Sequence, residues 1–442
     1  MTCDAACDLV DQPRLVCALG AMKSVQAIDR AVPVLHSGPG CGPKLSGGMS
    51  DLNGGTSSGY ISPQIFPCSN LGEKEVVFGG AEKLRQTIEN ALKVIDGDLF
   101  VALTGCTAEL VGDDAGEVVR SFQDAGKPVI LAETAGFKGS NLVGHELVLA
   151  ALAEQYYQAG PPIPGLVNLW STVPSHDPFW YGTLRSLEKL VASIGLTPNT
   201  IFGPCRGVSA LNRVSGAALN LVVSPWVGLE NAQRLEQKSG TPWLHYPVLP
   251  IGPHETANFL RTVGAATGVA SAVTDQAIAE GEAEYSWQIE RAADIFLETR
   301  AMARRFVIVA DSTSTLAVSR FLVNDLGLFP SKLYITDDAP EPHRDRISGY
   351  FRDYLHGIEA EVEFTNDGGH IHDEIRSTDF YGRPLILGSY WEKSLSKELR
   401  GHHLALSMPV GDRLILDRSY VGYDGSLRLL EDIYSVVLET FI

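Results

Sequence analysis

Leu99-Phe-Val-Ala-Leu-Thr-Gly-Cys-Thr-Ala-Glu-Leu-Val-Gly-Asp-Asp114 is the stretch whose reading decides the fold. The apolar run Leu99–Leu103 reads as a buried strand. A glycine turn carrying Cys106 follows it. Asp113-Asp114 suit a helix start, and Val118, Val119 and Phe122 continue at helical spacing. Strand, turn and helix in that order form the unit of an α/β protein built on parallel sheets with covered faces.

Moving outward, the unit recurs. Short apolar runs predict further strands at Val32–Leu35, Val129–Ala132, Leu166–Leu169, Leu219–Val223, Phe306–Ala310, Leu333–Thr336 and Leu385–Leu387. Between the first two, Leu84, Ile88, Leu92 and Ile95 recur at helical spacing. Three such blocks are expected in the 442 residues. The first, 1–165, closes on the stiff linker Gly160-Pro-Pro-Ile-Pro-Gly165. The second, 166–300, ends in a polar helical stretch, and the third, 301–442, opens at Phe306. No repeat of fixed period runs through them. One segment breaks the pattern: Gly38 to Gly59 is rich in glycine and reads as a loop where backbone approaches a ligand.

Bulk properties exclude several functions. Apolar content of 45% and charged content of 20% are ordinary for a globular chain. No apolar run reaches membrane-spanning length. The start, Met1-Thr-Cys-Asp4, lacks a basic region and an apolar core, so the expected address is the cytoplasm. Net charge is −18, which argues against nucleic acid. No P-loop, dinucleotide fingerprint or nucleophile elbow occurs, so neither nucleotide hydrolysis nor acyl transfer is indicated.

The seven cysteines carry the chemistry. An odd number in a chain of this kind makes disulfides a poor expectation and metal binding a better one. Cys17, Cys41 and Cys106 each sit at a turn, with 23 residues between the first two and 64 between the last two. Zinc fingers and ferredoxins pair their ligands tightly. The wide spacing suits a cluster held by loops of one domain. Cys41 and Cys106 each follow a strand, where α/β sheets gather ligands. Cys17 precedes a helical stretch through Met22, Val25 and Ile28, and a helix start favours the thiolate that iron needs. Three thiolates are one short of an isolated cubane, so a further ligand or a second subunit is implied. Cys68 reads as a packed thiol, with a fourth ligand as the alternative. Cys205 reads as structural, and Cys3 and Cys7 as terminal. His370-Ile-His372 and His402-His403 offer a rival divalent-metal site, but imidazoles two apart on a strand share one face for simple geometric reasons.

At these residues the sequence resembles the β-type (K) subunit of the nitrogenase component 1 superfamily. Cys17-Ala-Leu-Gly-Ala-Met22, Gly38-Pro-Gly-Cys41 and Thr104-Gly-Cys-Thr-Ala-Glu-Leu-Val-Gly-Asp-Asp114 are similar to its three P-cluster cysteine motifs, and Val77-Phe-Gly-Gly80 and Gly422-Tyr-Asp-Gly425 to further landmarks. The resemblance implies three Rossmann-like domains, each a mostly parallel sheet flanked by helices. It implies a P-type [8Fe-7S] cluster held by Cys17, Cys41 and Cys106 and shared with a D-type subunit in an α2β2 heterotetramer. The catalytic iron–sulfur cofactor would lie on that D subunit. Electrons would come from a transient, homodimeric ATP-dependent [4Fe-4S] iron protein.

There are departures. Nitrogenase K chains usually carry Thr-Pro-Ser-Phe beside the cluster, and here the matching stretch is Thr134-Ala-Gly-Phe137. The basic aromatic stretch after the second cysteine is replaced by the glycine-rich segment, and the first motif begins close to Met1. With these features the chain is most similar to the K subunit of methylthio-alkane reductase, a nitrogenase-like enzyme. The implied activity is reductive C–S cleavage to methanethiol and a hydrocarbon. The alternatives are dinitrogen reduction by an alternative-metal enzyme, a cofactor-assembly scaffold, and a plain α/β protein with structural cysteines.

Overall fold

The computed structural model describes residues 12–51, 53–54, 66–158, 160–299 and 301–441. Cys3, Cys7 and the glycine-rich stretch from Gly55 to Gly59 lie outside the described residues.

The chain is an α/β protein with several parallel sheets flanked by helices. The first sheet has the order β1 (Ala31–His36), β2 (Leu99–Thr104), β3 (Val129–Ala132). The second contains β4 (Leu166–Trp170), β5 (Thr197–Asn199), β6 (Leu219–Val222) and β7 (Trp243–His245), in the order β5-β4-β6-β7. The third contains β8 (Arg305–Ala310), β9 (Phe329–Pro330), β10 (Leu333–Ile335), β11 (Val362–Phe364), β12 (Leu385–Gly388) and β13 (His402–Ala405). Its order is β11-β10-β8-β12-β13, with β9 beside β8. The ladders are parallel. Every apolar run read as a strand is one.

The first sheet is apolar on both faces because helices cover both. Alternate residues divide between them. Val32, Val34, Phe100 and Ala102 meet Leu84, Ile88, Val118 and Val119 on one side. Leu35, Val101 and Leu103 meet Met22, Val25, Val148 and Leu152 on the other. The helix Ala81–Val94 forms because Leu84, Ile88 and Ala91 recur on one face. Burying each of the two larger side chains stabilises the fold by about 1.5–3 kcal/mol. Pairing of His36 with Thr104 brings β1 and β2 level at their carboxyl ends. The segments that follow them therefore leave from the same edge. The second and third sheets share one apolar core, in which Leu221 and Val223 join Ile308, Ile335 and the last helix's Leu429 and Ile433. No helix among the described residues is long and apolar enough to cross a membrane.

The glycine-rich segment departs from its reading as a loop. Cys41–Asp51 is a helix. Its glycines weaken it, but Leu45 and Met49, four residues apart, are both buried. Ser46 and Ser50, again four apart, accept hydrogen bonds from the buried Lys23 ammonium at 3.2 and 3.0 Å. Tertiary contacts on one helical face override the glycine content. Beyond the helix, Gly54 donates to Val410 and accepts from Ile415, crossing to the third sheet's periphery.

Candidate functional site

Three segments meet at the carboxyl edge of the first sheet. The first carries Cys17, which caps the short 3-10 turn Ala18–Ala21. Its neighbours are fixed: Asn141 N–H donates to the Val16 carbonyl at 2.7 Å and Ala18 N–H to the Gly139 carbonyl at 2.9 Å. The second leaves β1 and reaches Cys41, the first residue of its helix. The third leaves β2 and reaches Cys106, the first residue of the helix Cys106–Val111. Cys41 and Cys106 are exposed, and Cys17 is partly buried.

Gly136 shows how close the sulfurs are. A Cβ at that position would stand 3.0 Å from Cys106 Sγ and 3.3 Å from Cys17 Sγ. The two sulfurs therefore flank a glycine that has no side chain to separate them. Gly136 N–H donates to Cys106 Sγ at 3.1 Å. Cys41 belongs to the same group. Burial pushes its thiol up, and the neighbouring Cys17, Cys106 and Cys68 push it further, against a smaller opposing effect of Lys44. Thiols repel one another's ionisation in this way only at close range.

Cys68 backs the site. Its Sγ lies 3.6 Å from the Ser37 carbonyl and 3.9 Å from the Gly38 carbonyl, and it accepts from Asn70 N–H at 3.5 Å. The thiol is engaged with the turn that leads to Cys41, in keeping with a packed role. Cys205 differs from its reading as structural: it is exposed, at a turn with φ +61°.

Two supporting networks were not legible in the sequence. Glu109, three residues after Cys106, accepts from Thr104 Oγ1 at 2.6 Å and Ala135 N–H at 3.2 Å, and pairs with Lys138 at 2.8 Å. It ties the Cys106 helix to the turn that carries Gly136. The second network is buried. His36 Nδ1 meets Ser69 Oγ at 3.0 Å, its Nε2 meets Asp113 Oδ2 at 3.0 Å, and Asp113 Oδ1 accepts from Gly80 N–H at 2.6 Å. Burial pushes His36 down, against the pull of Asp113. The Ser–His–Asp order mimics a hydrolytic triad, but Ser69 is only 2% exposed and can reach no substrate. Of the acidic pair read as a helix start, Asp114 is the cap, accepting from Glu117 N–H. Asp113 serves His36 instead.

Near the thiols several large apolar side chains are exposed. Val77 and Phe78 on the helix Glu73–Phe78 are 71% and 81% exposed, Leu110 is 76% and Phe137 is 60% exposed. Large apolar side chains gathered at an edge mark an interaction surface.

The rival metal sites fare differently. Residues Gly368–Ser377 form a helix rather than a strand, so His370 and His372 turn to different faces. His370 approaches Glu363 at 2.9 Å, whereas His372 turns inward to Glu392 at 3.3 Å. Glu363, His370 and Glu374 do converge, but the Lys332 ammonium already pairs with both carboxylates, at 2.6 and 2.8 Å. His402 and His403 are neighbours on β13 and face opposite ways; His403 bonds the Ser389 carbonyl.

The donor set at the thiol edge is soft sulfur with the Gly136 N–H beside it. That chemistry fits an iron–sulfur group. Two of the thiols face outward, so part of the coordination sphere is open to another chain.

The comparisons agree with this class. Residues 17–438 match the family model described as nitrogenase component 1 type oxidoreductase, and the chain belongs to that family. It is 22% identical to the nitrogenase molybdenum-iron protein beta chain of Clostridium pasteurianum, over 95% of this chain and 91% of that one. It is 24% identical to a subunit of the light-independent protochlorophyllide reductase of Nostoc punctiforme, over 81% of this chain and 70% of that one. A solved structure titled nitrogenase Cp1 at pH 6.5 superposes with a TM-score of 0.80 at 21% identity, covering 97% of this chain and 93% of that one.

Proposed function

We propose that this chain is the K-type subunit of a nitrogenase-like reductase and that Cys17, Cys41 and Cys106 hold a P-type [8Fe-7S] cluster jointly with a D-type subunit in an α2β2 complex. The observation that carries the reading is the pairing of the Cys17 and Cys106 sulfurs beside Gly136 at one sheet edge, with Cys41 near enough to feel both and with Cys41 and Cys106 facing out. When bound, the cluster supplies one-electron storage and transfer between an ATP-dependent iron protein and a cofactor on the D subunit. The chain's own residues do the rest. Gly136 N–H donates to Cys106 sulfur, and such bonds raise a cluster's potential. Glu109 and the Thr104–Thr134 contacts hold the Gly136 turn against the Cys106 helix. The exposed Val77, Phe78, Leu110 and Phe137 give partners an apolar surface that excludes water from the edge on docking.

For the reaction, we propose reductive C–S cleavage of methylthio-alkanes to methanethiol and hydrocarbon, carried out on the D subunit. Support comes from the departures from nitrogenase: glycine at 136 in place of the cluster-side serine, and a glycine-rich helix after Cys41. Dinitrogen reduction is the second reading, favoured by the molybdenum-iron beta chains among the relatives. Iron quantification and EPR of the anaerobic complex purified with its D-type neighbour test the cluster. A complex without iron overturns it. Methylthioethanol and acetylene assayed side by side separate the two reactions. Acetylene reduction without methanethiol release overturns the C–S assignment.

A further inference from the structure

The residues just before Cys17 are clamped outside the sheet that carries the site. Arg14 is buried against the third sheet, and its ion pair with Glu392 leaves the two side chains 2% and 0% exposed. The guanidinium donates to Glu392 Oε1 at 2.5 Å and Oε2 at 3.1 Å, to Ser389 Oγ at 3.0 Å and to Gln12 Oε1 at 2.8 Å. Glu392 in turn accepts from Ser389 N–H and Oγ at 2.8 Å each, and His372 Nε2 meets its Oε1 at 3.3 Å. Trp391 Nε1–H donates to the Pro13 carbonyl at 3.3 Å. Two glycines make room for the clamp. A Cβ on Gly368 would collide with the Gln12 amide, and one on Gly388 would stand 2.6 Å from Glu392 Oε2.

The other end of the same short segment is fixed as firmly. Val16 N–H donates to Asn141 Oδ1 at 3.1 Å and the Val16 carbonyl accepts from Asn141 N–H. Cys17 bridges Ser140. Between the clamp and Cys17 only Leu15 and Val16 intervene. That is too little chain to absorb a shift at Arg14, since extended residues span at most about 3.3–3.6 Å each. Burial would push the Glu392 carboxyl up, but Arg14 and His372 outweigh it and hold it well below the usual carboxylate range. The pair is therefore fully charged wherever the protein is folded near neutrality.

We propose that Arg14, Glu392 and His372 are positioning residues for Cys17: the clamp on the third sheet sets where the Cys17 thiol stands beside Cys106, so that retention of the iron–sulfur group depends on a contact made outside the sheet that carries it. The inference rests on the proposed role of Cys17 as a ligand. Groups bonded directly to a ligand govern metal affinity by about 10–100-fold; the clamp acts on Cys17 through the two intervening residues of chain.

The test uses Arg14→Lys and Glu392→Gln, each a conservative change that loses the forked contact. In the metal-free full chain, N-ethylmaleimide labelling is followed thiol by thiol by peptide mass spectrometry. Cys17 labelling is expected to rise about tenfold, with Cys41 and Cys106 within about twofold of wild type. The anaerobic complex should keep its partner and lose iron. Because a lone buried charge can prevent folding, Arg14→Met with Glu392→Leu removes both charges together. It should fold and still expose Cys17, since the bonds to Gln12 and Ser389 are gone. Unchanged Cys17 labelling in folded variants, or an equal rise at all three thiols, overturns the proposal. A wild-type complex without iron overturns the cluster reading instead and leaves the labelling result to stand or fall alone.

Discussion

The carboxyl edge of the first sheet and the cleft between the second and third sheets occupy equivalent places in their layers, yet they are built oppositely. The first edge presents sulfur to the outside among exposed apolar side chains. The cleft collects Asp177, Asp311, Asp337 and His176 from the strand ends and seals them. There Asp337 accepts from Ser312 N–H, Ser312 Oγ and Trp226 Nε1–H, and Asp311 accepts from Ser314 N–H and Ser407 Oγ. The space left is about 20 Å³, room for a single water. The α/β rule places ligands at strand carboxyl ends; the first sheet leaves thiols exposed there, while the other two spend the same position on internal hydrogen bonds. What the difference teaches is where chemistry can enter: of the two, only the sulfur edge has donors to spare.

The strongest way to break this comparison is Cys41→Ala. The cluster's share of the iron and turnover should both be lost, read by metal analysis and EPR, while the iron of the D-subunit cofactor remains. Full iron content would show that the open edge is not the metal site. Phe78→Asp comes next. An exposed side chain contributes little to folding, so urea stability should stay within about 0.5 kcal/mol. Coupling to the iron protein or to the D subunit should weaken by about tenfold or more, read by titration of turnover and by co-purification.

Asp177→Asn sharpens the other half. Burial, then Asp311, raises the Asp177 carboxyl to about 7, while Phe179 N–H opposes them. The folded chain therefore keeps a proton that the unfolded chain loses between about pH 4 and pH 7. Stability falls as pH rises through that window. Asparagine cannot ionise and its Oδ1 can keep the Phe179 contact. The variant should gain about 4 kcal/mol at pH 8 and almost nothing at pH 4, measured by urea unfolding at both pH values. The smallest expected effect concerns the sulfur edge again. Burial and the neighbouring thiols raise Cys41, and metal binding needs the thiolate. Iron and sulfide uptake by the metal-free chain should quicken from pH 7 to pH 9 as the Cys41 thiolate fraction rises. A flat profile would mean that Cys41 ionisation does not limit loading.

In the second and third sheets the inner strands were legible in the sequence and the edges were not, whereas in the first sheet the edge strands β1 and β3 also read as apolar runs. β2, β4, β6, β8, β10 and β12 are covered on both faces and read as apolar runs. The strands that escaped notice in the second and third sheets are edges, β5, β7, β11 and β13, together with the short β9. An edge strand can keep polar residues such as Thr197, His245 or Glu363 and shows no continuous apolar signal. The thiol edge was legible because each cysteine stands at a turn next to a recognisable element. Its supports were not. The partners of His36 and Arg14 lie 77 and 378 residues away, and no local pattern announces a pairing at that distance. The Cys41 helix was hidden for the opposite reason: its glycines signal a turn, while the faces that stabilise it depend on Lys23 and on burial.

Lys332 gives Glu363 and Glu374, the carboxylates beside His370, a tethered counter-ion. A hard divalent ion from the medium would have to expel an ammonium that two carboxylates already grip. Among the described residues this is the one metal-like cluster of carboxylates and imidazole, and the ammonium held there disfavours stray loading of a divalent ion.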